Sequence, residues 1–212
     1  IAEWLTSSNL RAIWMDTIAK KAPGTGVWFV RRDDFQQWMN NDGELLCGIG
    51  IPGAGKTILC ATIIEYLQDV VKSSEGNVCV TFAFFRYTDK QSTIKSTLAA
   101  LLRQQLERHP RTFEPIKALY NLHDRERTNP SKDELLTLLR QTSAMYRKNY
   151  FILDAFDEAP KEVQEEILQC LLSLNANVLV MSRPSILPSD IVGKTISAEI
   201  YARPSDIKIL ID

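Results

Sequence analysis

The chain has 212 residues, of which 45% are hydrophobic, and its 25 basic side chains nearly balance 26 acidic ones. A chain of this length can bury one substantial core and needs neither disulfides nor a structural metal. Its balanced charge excludes a global attraction to nucleic acid or to an anionic membrane, so we expect no direct nucleic acid partner. No apolar run approaches the length of a membrane span, so we expect none.

The first forty residues hold every tryptophan of the chain: Trp4, Trp14, Trp28 and Trp38. We interpret residues 1–43 as an aromatic-rich lead-in segment. Residues 24–29 (GTGVWF) could lay their backbone along an adenine ring, whereas Phe35 and Trp38, three apart, could pack a short helix on a sheet edge. We favour packing, because large aromatic side chains need burial far more often than they contact a base.

From residue 44 to 202, strand-like runs alternate with helical patterns. The predicted strands are 45–49, 78–85, 149–154, 178–182 and 195–200. The predicted helices, with apolar residues three and four apart, are 57–71, 91–108, 112–122, 131–146 and 161–174. This alternation is typical of an α/β fold, here a three-layer sandwich with a five-stranded, mainly parallel sheet and helices on both faces.

Two helix starts carry capping signals. Ser131 with Glu134 forms the pattern of a capping box after Pro130. Ser205, after Pro204, is predicted to open a last helix, and we interpret residues 203–212 as the start of a truncated helical domain.

The first predicted strand leads directly into a phosphate-binding motif. Its eight residues fit G-x-x-x-x-G-K-[ST] and are Gly50, Ile51, Pro52, Gly53, Ala54, Gly55, Lys56 and Thr57. Backbone N–H groups of such a loop turn towards phosphates, the lysine adds a full charge, and the following helix points its positive end there. Thr57 can hold Mg²⁺ through its hydroxyl. The motif, with Ile58 after it, predicts binding of a nucleoside triphosphate.

An acidic segment follows the third predicted strand, 149–154. An aspartate at the carboxyl end of a parallel strand lies where such sheets bind ligands, so Asp154 is predicted to orient Mg²⁺ through its waters. We predict Glu158 as the base that polarises the attacking water, with Asp157 as a second metal-sphere partner or as the alternate base. The competing interpretation is that these acids only cap the helix near Lys161.

Two arginines follow predicted strands. Arg183 is a candidate sensor of the γ-phosphate, because a guanidinium distinguishes a triphosphate from a diphosphate by the oxygen that accepts its bond. The alternative is a solvated loop arginine. Arg86 has weaker support, and a pocket role and a structural ion pair both remain open.

The four cysteines are Cys47, Cys60, Cys79 and Cys170, and they show no C-x-x-C spacing. Three of the four lie in apolar segments. Free thiols there behave as small hydrophobic side chains, which favours a reducing, cytoplasmic location. The start, Ile1-Ala2-Glu3-Trp4, has neither a basic leader nor an initiator methionine. We therefore expect a piece of a larger protein.

The combined motifs resemble the NACHT family of signalling NTPases, which belongs to the STAND class. The resemblance rests on GIPGAGKT at 50–57, LDAFDE at 153–158 and SRP at 182–184. The segments 24–38 and 127–131 are similar to nephrocystin-3-like NACHT cores of large fungal NOD-like receptor proteins, and the resemblance extends from about residue 24 to 209. Ala155, with acids two places further on, separates the chain from AAA+ motors, which carry consecutive Asp-Glu.

The resemblance implies an ASCE-type P-loop fold. The strand ending at Ser182 would then lie between the P-loop strand and the strand ending at Asp154, so that Arg183 faces the phosphates. It also implies effector and sensor-repeat domains in cis, and a winged helix that supplies a histidine to the diphosphate state. His109 and His123 match no such motif, and we expect both at the surface.

Together these features favour a slow, Mg²⁺-dependent ATPase or GTPase that acts as a switch and self-associates in the full-length protein to control an effector. A nucleotide-holding scaffold without turnover is the first alternative, and the intact acidic residues argue against it. An AAA-like motor or a small-molecule kinase is the second. The absence of consecutive Asp-Glu after the strand and of an acceptor-site motif counts against it.

Overall fold

The computed structural model describes residues 1–88, 93–184, 195–204, 206 and 208. Its strands are β1 (Leu45–Ile49), β2 (Val78–Phe84), β3 (Lys148–Asp154), β4 (Asn177–Ser182) and β5 (Thr195–Glu199). They form one five-stranded sheet in the order β2-β3-β4-β1-β5, and every pairing is parallel. The predicted sheet is confirmed, and so is the position of β4 between β1 and β3.

Helices cover both faces of this sheet. Four precede β1: α1 (Ala2–Leu5), α2 (Leu10–Ile18), α3 (Val27–Val30) and α4 (Asp33–Asn40). The others are α5 (Lys56–Ser73), α6 (Ile94–Arg108), α7 (Phe113–Glu126), α8 (Lys132–Ser143) and α9 (Lys161–Ser173). Helix α5 connects β1 to the edge strand β2, and the connections from β2 back through β3 to β4 contain α6 to α9. Because parallel crossovers are right-handed, these two groups cover opposite faces.

Two helices end three or more residues from their predicted C-terminal ends. The helix predicted at 112–122 continues to Glu126, and Arg127 ends it in the left-handed region with φ 53°. The helix predicted at 131–146 ends at Ser143. Its capping box is confirmed, since the Ser131 hydroxyl accepts from the N–H of Glu134 and the Glu134 carboxylate accepts from the N–H of Ser131. The predicted start at Ser205 lies outside the described residues.

The core lies on both sides of the central strands β3 and β4. Every residue of β4 is buried, and in β3 burial runs from Asn149 to Asp154. Continuous apolar runs are expected in such strands, because a parallel sheet with helices on both faces exposes neither face. The free cysteines are buried, as expected for small apolar side chains. No helix in the described ranges combines the length and apolarity needed to cross a membrane.

The aromatic lead-in segment packs into the same core. Phe35 and Trp38 are fully buried, and the Trp38 indole N–H donates to the carbonyl of Val178 in β4 at 3.0 Å. The Trp14 indole N–H donates to the carbonyl of Ala61 in α5 at 3.1 Å. The packing interpretation therefore describes these three aromatic side chains.

A buried arginine fastens α1 to α6. Arg103 is only 8% exposed. Its guanidinium donates to the carbonyl of Thr6 at 2.6 Å and pairs with Glu3 at 3.0 Å and Glu107 at 2.8 Å. Because a buried guanidinium needs partners for its charge, this cluster fixes the N-terminal helix against the sheet-covering helix.

Two polar side chains cover the outer side of β2: Gln104 in α6 and His109 just after it. The Phe82 N–H donates to Gln104 Oε1 at 3.1 Å, and Gln104 Nε2 donates to the Phe82 carbonyl at 2.7 Å. His109 Nε2 lies 3.4 Å from both the N and the O of Val80. These contacts satisfy edge groups that no strand within the described ranges reaches.

The predicted surface location of both histidines is wrong. His109 is 5% exposed because it fills the space beside β2, and this burial lowers its pKa. His123 is also 5% exposed. Its Nδ1 lies 2.7 Å from the hydroxyl oxygen of Thr128, and the Trp4 ring centroid is 5.9 Å away. The lead-in segment thus covers a helix face that would otherwise meet water.

Candidate functional site

The loop between β1 and α5 depends on glycine at two positions. Gly53 and Gly55 have φ of 80° and 83°, in the left-handed region that favours glycine. Gly50 is required for a different reason, because a Cβ there would lie 2.4 Å from the carbonyl oxygen of Ile200. Backbone conformation therefore requires glycine in the middle of the loop, and close packing against the residue after β5 requires it at the start of the loop.

Lys56 is the first residue of α5 and folds back across this loop. Its ammonium donates to the carbonyl of Gly50 at 2.5 Å and to that of Ile51 at 2.9 Å. Burial lowers the pKa of Lys56, while the charge of Asp157 opposes that effect. An ammonium has three N–H donors, so one remains after these two bonds.

Asp154 ends β3 beside Thr57. Asp154 is 2% exposed, and this burial raises the pKa of its carboxyl group to about 6 despite the nearby Thr57 hydroxyl. No described residue hydrogen-bonds to its buried Oδ1. An unpaired buried carboxylate oxygen is costly, and a carboxylate beside a hydroxyl is an oxygen ligand set that suits Mg²⁺. Both residues therefore fit the predicted ion.

A strained residue turns the chain after β3. Ala155 has φ 50°, a left-handed conformation that residues other than glycine rarely adopt. A 3₁₀ turn follows at Phe156–Glu158, anchored by the fully buried Phe156 ring. This turn brings Asp157 and Glu158 back towards the loop. Backbone strain of this kind is typical of functional sites.

Arg183, just after β4, contacts both acids of that turn. Its Nε lies 3.2 Å from Asp157 Oδ2, and its Nη2 lies 3.1 Å from Glu158 Oε1. The backbone N–H of Arg183 also donates to Asp157 Oδ1 at 3.2 Å. The Asp157 side chain is only 5% exposed, whereas that of Arg183 is 49% exposed. The arginine therefore covers the more buried acid from the solvent side.

A backbone contact that the sequence did not predict holds the second acid. The N–H of Tyr87, which follows β2, donates to Glu158 Oε2 at 2.9 Å. Glu158 is thus fixed by residues after two different strands. No sequence signal marks this contact, because any residue at position 87 other than proline has the same N–H.

Most of the predicted site residues line one cleft of about 350 Å³. They are Pro52, Gly53, Gly55, Lys56, Thr57, Ile58, Asp154, Asp157, Glu158 and Arg183. Ala54 lines a neighbouring cavity, and Gly50 and Ile51 reach the site through their carbonyl contacts with Lys56. Arg86 is exposed and borders a separate cavity of about 70 Å³ beside α6. The structure therefore gathers the motif side chains but places Arg86 elsewhere.

The neighbouring cavity, of about 210 Å³, lies on the other side of the loop. It shares Gly53, Gly55 and Ile58 with the cleft, and Thr25, Gly26 and Trp28 of the lead-in segment also line it. This cavity gives a geometric basis for the interpretation that residues 24–29 contact an adenine ring, in addition to the packing interpretation. Together the two spaces fall in the range of roughly 300–1,000 Å³ of small-molecule sites.

Comparison with solved structures gives matches of low sequence identity. One, the Aeropyrum pernix ORC1 protein in complex with DNA, is 16% identical with a TM-score of 0.48 and covers 76% of this chain and 39% of its own. Another, Drosophila ORC bound to AT-rich DNA and Cdc6, is 13% identical with a TM-score of 0.49 and covers 96% and 32%. The chain thus spans well under half the length of either.

Sequence comparison gives a more direct result. No curated protein matches the sequence significantly. A family model described as nephrocystin 3, N-terminal, matches residues 24–183, which include the lead-in glycines, the phosphate-binding loop, the acidic turn and Arg183. The chain therefore belongs to the nephrocystin 3, N-terminal family, and its resemblance to nephrocystin-3-like NACHT cores is confirmed.

Proposed function

We propose that the chain is the nucleotide-binding core of a signalling switch that binds ATP or GTP with Mg²⁺ and hydrolyses it slowly. The observation that supports this most strongly is the convergence of Lys56, Asp154, Glu158 and Arg183 on one cleft. A positive loop beside acidic side chains suits a phosphate chain that carries a cation.

In this proposal the loop binds the phosphates before any chemistry occurs. Backbone N–H groups of residues 53–57 and the positive end of α5 hold the β-phosphate. Lys56 exchanges its bonds to the carbonyls of Gly50 and Ile51 for bonds to phosphate oxygens. Thr57 and Asp154 hold Mg²⁺, which neutralises charge on the phosphate oxygens when bound.

Hydrolysis then requires a positioned water. Glu158 accepts a proton from the water while the water oxygen attacks the γ-phosphorus, and the bond from the γ-phosphorus to the β–γ bridging oxygen breaks to give nucleoside diphosphate and inorganic phosphate. Asp157 is the alternate base or a second metal-sphere partner. Arg183 donates to the γ-phosphate oxygens, which requires it to leave its present partners.

The switch belongs to a longer protein. We propose that residues 44–202 form the nucleotide-binding core, that 1–43 are its lead-in segment and that 203–212 begin a helical domain. Self-association, an effector and sensor repeats in cis would couple the bound nucleotide to a signal. A cytoplasmic location is supported by the buried, free cysteines. The balanced charge supports a nucleotide rather than a nucleic acid as ligand.

Calorimetry with ATP and GTP, with and without Mg²⁺, tests the binding step on the purified chain. We expect saturable, Mg²⁺-enhanced binding of at least one of the two, and no binding at millimolar nucleotide would contradict the proposal. Phosphate release measured on the same sample tests the second step. Binding without release over hours would leave the scaffold function in place of the switch.

A further inference from the structure

Helix α7 carries two apolar stripes, although a helix on the surface of a domain needs only one. The first stripe faces inwards, since Ile116 and His123, two turns apart, are both buried. The second lies beside it and consists of residues three and four positions apart, which places them on one side of the helix: Pro115, Ala118, Leu119 and Leu122. Such a stripe normally packs against another element.

The second stripe forms one wall of a groove of about 480 Å³ between α7 and α8, which we call the α7–α8 groove. Its other wall consists of residues of α8: Thr137, Leu138 and Gln141. From residue 115 to residue 122, α7 rises by about 10 Å, so the groove is two helical turns long. Leu122 is 36% exposed, and Ala118 is exposed as well, so a partner can reach the apolar wall.

One end of the α7–α8 groove is acidic. Asp133 and Glu134 lie on the first turn of α8, and the described residues that line the groove include no basic side chain. Glu134 already accepts hydrogen bonds from the N–H and hydroxyl of Ser131. Asp133 is exposed and forms no ion pair within the described ranges, so its charge is available to a partner.

Two lysines of the same helices are engaged outside the groove. Lys132 is ion-paired with Glu166 of α9, and Lys117 Nζ lies 5.4 Å from the centroid of the Phe113 ring. The groove therefore combines apolar walls with an acidic end. The complementary occupant has an apolar face and basic side chains at one end.

We propose that the α7–α8 groove binds an amphipathic helix of a partner protein, with basic residues of that helix beside Asp133. A helix suits the groove because its side chains at i, i+3, i+4 and i+7 form a ridge that packs between two other helices. An extended segment would need the free N–H and C=O groups of a sheet edge, and α7 and α8 use theirs within the helices. This inference is independent of nucleotide binding, since the described linings of the groove and the cleft share no residue.

Synthetic peptides test the electrostatic part of the proposal. The probe is a capped, fluorescently labelled helix of about four turns, with leucines at i, i+3, i+4 and i+7 and lysines at one end. A second peptide carries glutamates in place of the lysines. Fluorescence anisotropy with the purified chain is expected to show saturable binding of the lysine peptide, about fivefold tighter than that of the glutamate peptide. Equal affinities, or no saturable binding of either peptide, would overturn the proposal.

Variants test whether the peptide occupies the groove. Ala118→Arg places a long, charged side chain there and is expected to weaken the lysine peptide at least tenfold. Ala12→Arg is the matched control, because Ala12 is also an exposed alanine within a helix, α2, and does not line the groove. Asp133→Lys should reverse the preference, so that the glutamate peptide binds more tightly. Such a gain of binding also shows that this variant is folded.

Three results would assign the groove differently. Unchanged peptide affinity in Ala118→Arg, or equal weakening in Ala12→Arg, would overturn the groove as the binding site. An unchanged preference in Asp133→Lys would overturn the role of its acidic end. Analytical ultracentrifugation of the free chain tests a second copy as the occupant, and a dimer that Ala118→Arg dissociates would replace the partner helix by self-association.

Discussion

Arg183 and Glu158 are paired across the cleft, with Nη2 of the arginine 3.1 Å from Oε1 of the acid. Arg183, the proposed γ-phosphate sensor, and Glu158, the proposed base, are therefore paired with each other. A γ-phosphate that draws Arg183 away releases one carboxylate oxygen for the water. In this arrangement one movement of Arg183 both signals that a triphosphate is bound and releases Glu158 to act as the base.

Arg183→Ala is expected to lower the ratio of ATP to ADP affinity by about tenfold, because the guanidinium contacts an oxygen that only the triphosphate carries. Calorimetry with both nucleotides measures this ratio. Arg86→Ala is the matched control, since Arg86 also follows a strand but borders a different cavity. A change of ratio in Arg86→Ala and none in Arg183→Ala would exchange their roles.

Lys56→Ala should weaken nucleotide binding by at least tenfold, about 1.4 kcal/mol, because its ammonium is the loop's only full positive charge. The loop also loses the bonds that Lys56 makes to Gly50 and Ile51. Lys72→Ala, at the exposed end of the same helix, should bind like wild type. Wild-type affinity in Lys56→Ala would remove the phosphate-binding assignment.

Glu158→Gln should keep ATP affinity within about twofold and abolish phosphate release, because the amide cannot accept the water's proton. Parallel binding and phosphate-release assays on one preparation separate these effects. Asp157→Asn is the comparison variant. Loss of turnover in Asp157→Asn with normal turnover in Glu158→Gln would identify Asp157 as the base.

Asp154→Asn should make ATP affinity nearly independent of Mg²⁺, because it removes the buried carboxylate beside Thr57 while keeping its shape. Titrations with ATP in Mg²⁺ and in a chelator give the ratio that decides this point. Asp133→Asn, on the exposed first turn of α8, should retain the wild-type ratio. An unchanged ratio in Asp154→Asn would place the ion elsewhere.

His109 should make the protein less stable in mild acid. Burial places its folded-state pKa below the ordinary value of 6.5, so the unfolded chain binds the proton more readily. The free energy of unfolding should therefore decrease as pH falls from about 7 towards 5. Urea unfolding of His109→Gln should show a shallower dependence over that range. An identical slope in both proteins would mean that other groups cause it.

The local motifs of the sequence were enough to predict the sheet, its parallel strands and the residues of the cleft. The run from Tyr150 to Asp154, for example, is a buried strand ending in a carboxylate, and both properties depend on neighbours in sequence. His109 and His123 could not be placed in this way. Their burial depends on β2 and on the lead-in segment, which lie far from them along the chain.

The same limit applies to the contacts that complete the site. The Tyr87 N–H leaves no trace in the choice of side chain, and the bond that the Trp28 indole N–H donates to Asp206 joins residues 178 positions apart. The sequence places Ala155 between Asp154 and the two acids, but only the structure shows its left-handed backbone. Long-range geometry, rather than residue type, decides these features.

The polar cover on β2 also limits how copies of the protein can associate. Gln104 already uses the outward N–H and C=O of Phe82, and His109 lies against those of Val80. A strand from another molecule could join there only by displacing both side chains, so continuation of the sheet between molecules is blocked on this side. Association through this edge of the sheet must then use contacts between side-chain surfaces rather than backbone hydrogen bonds.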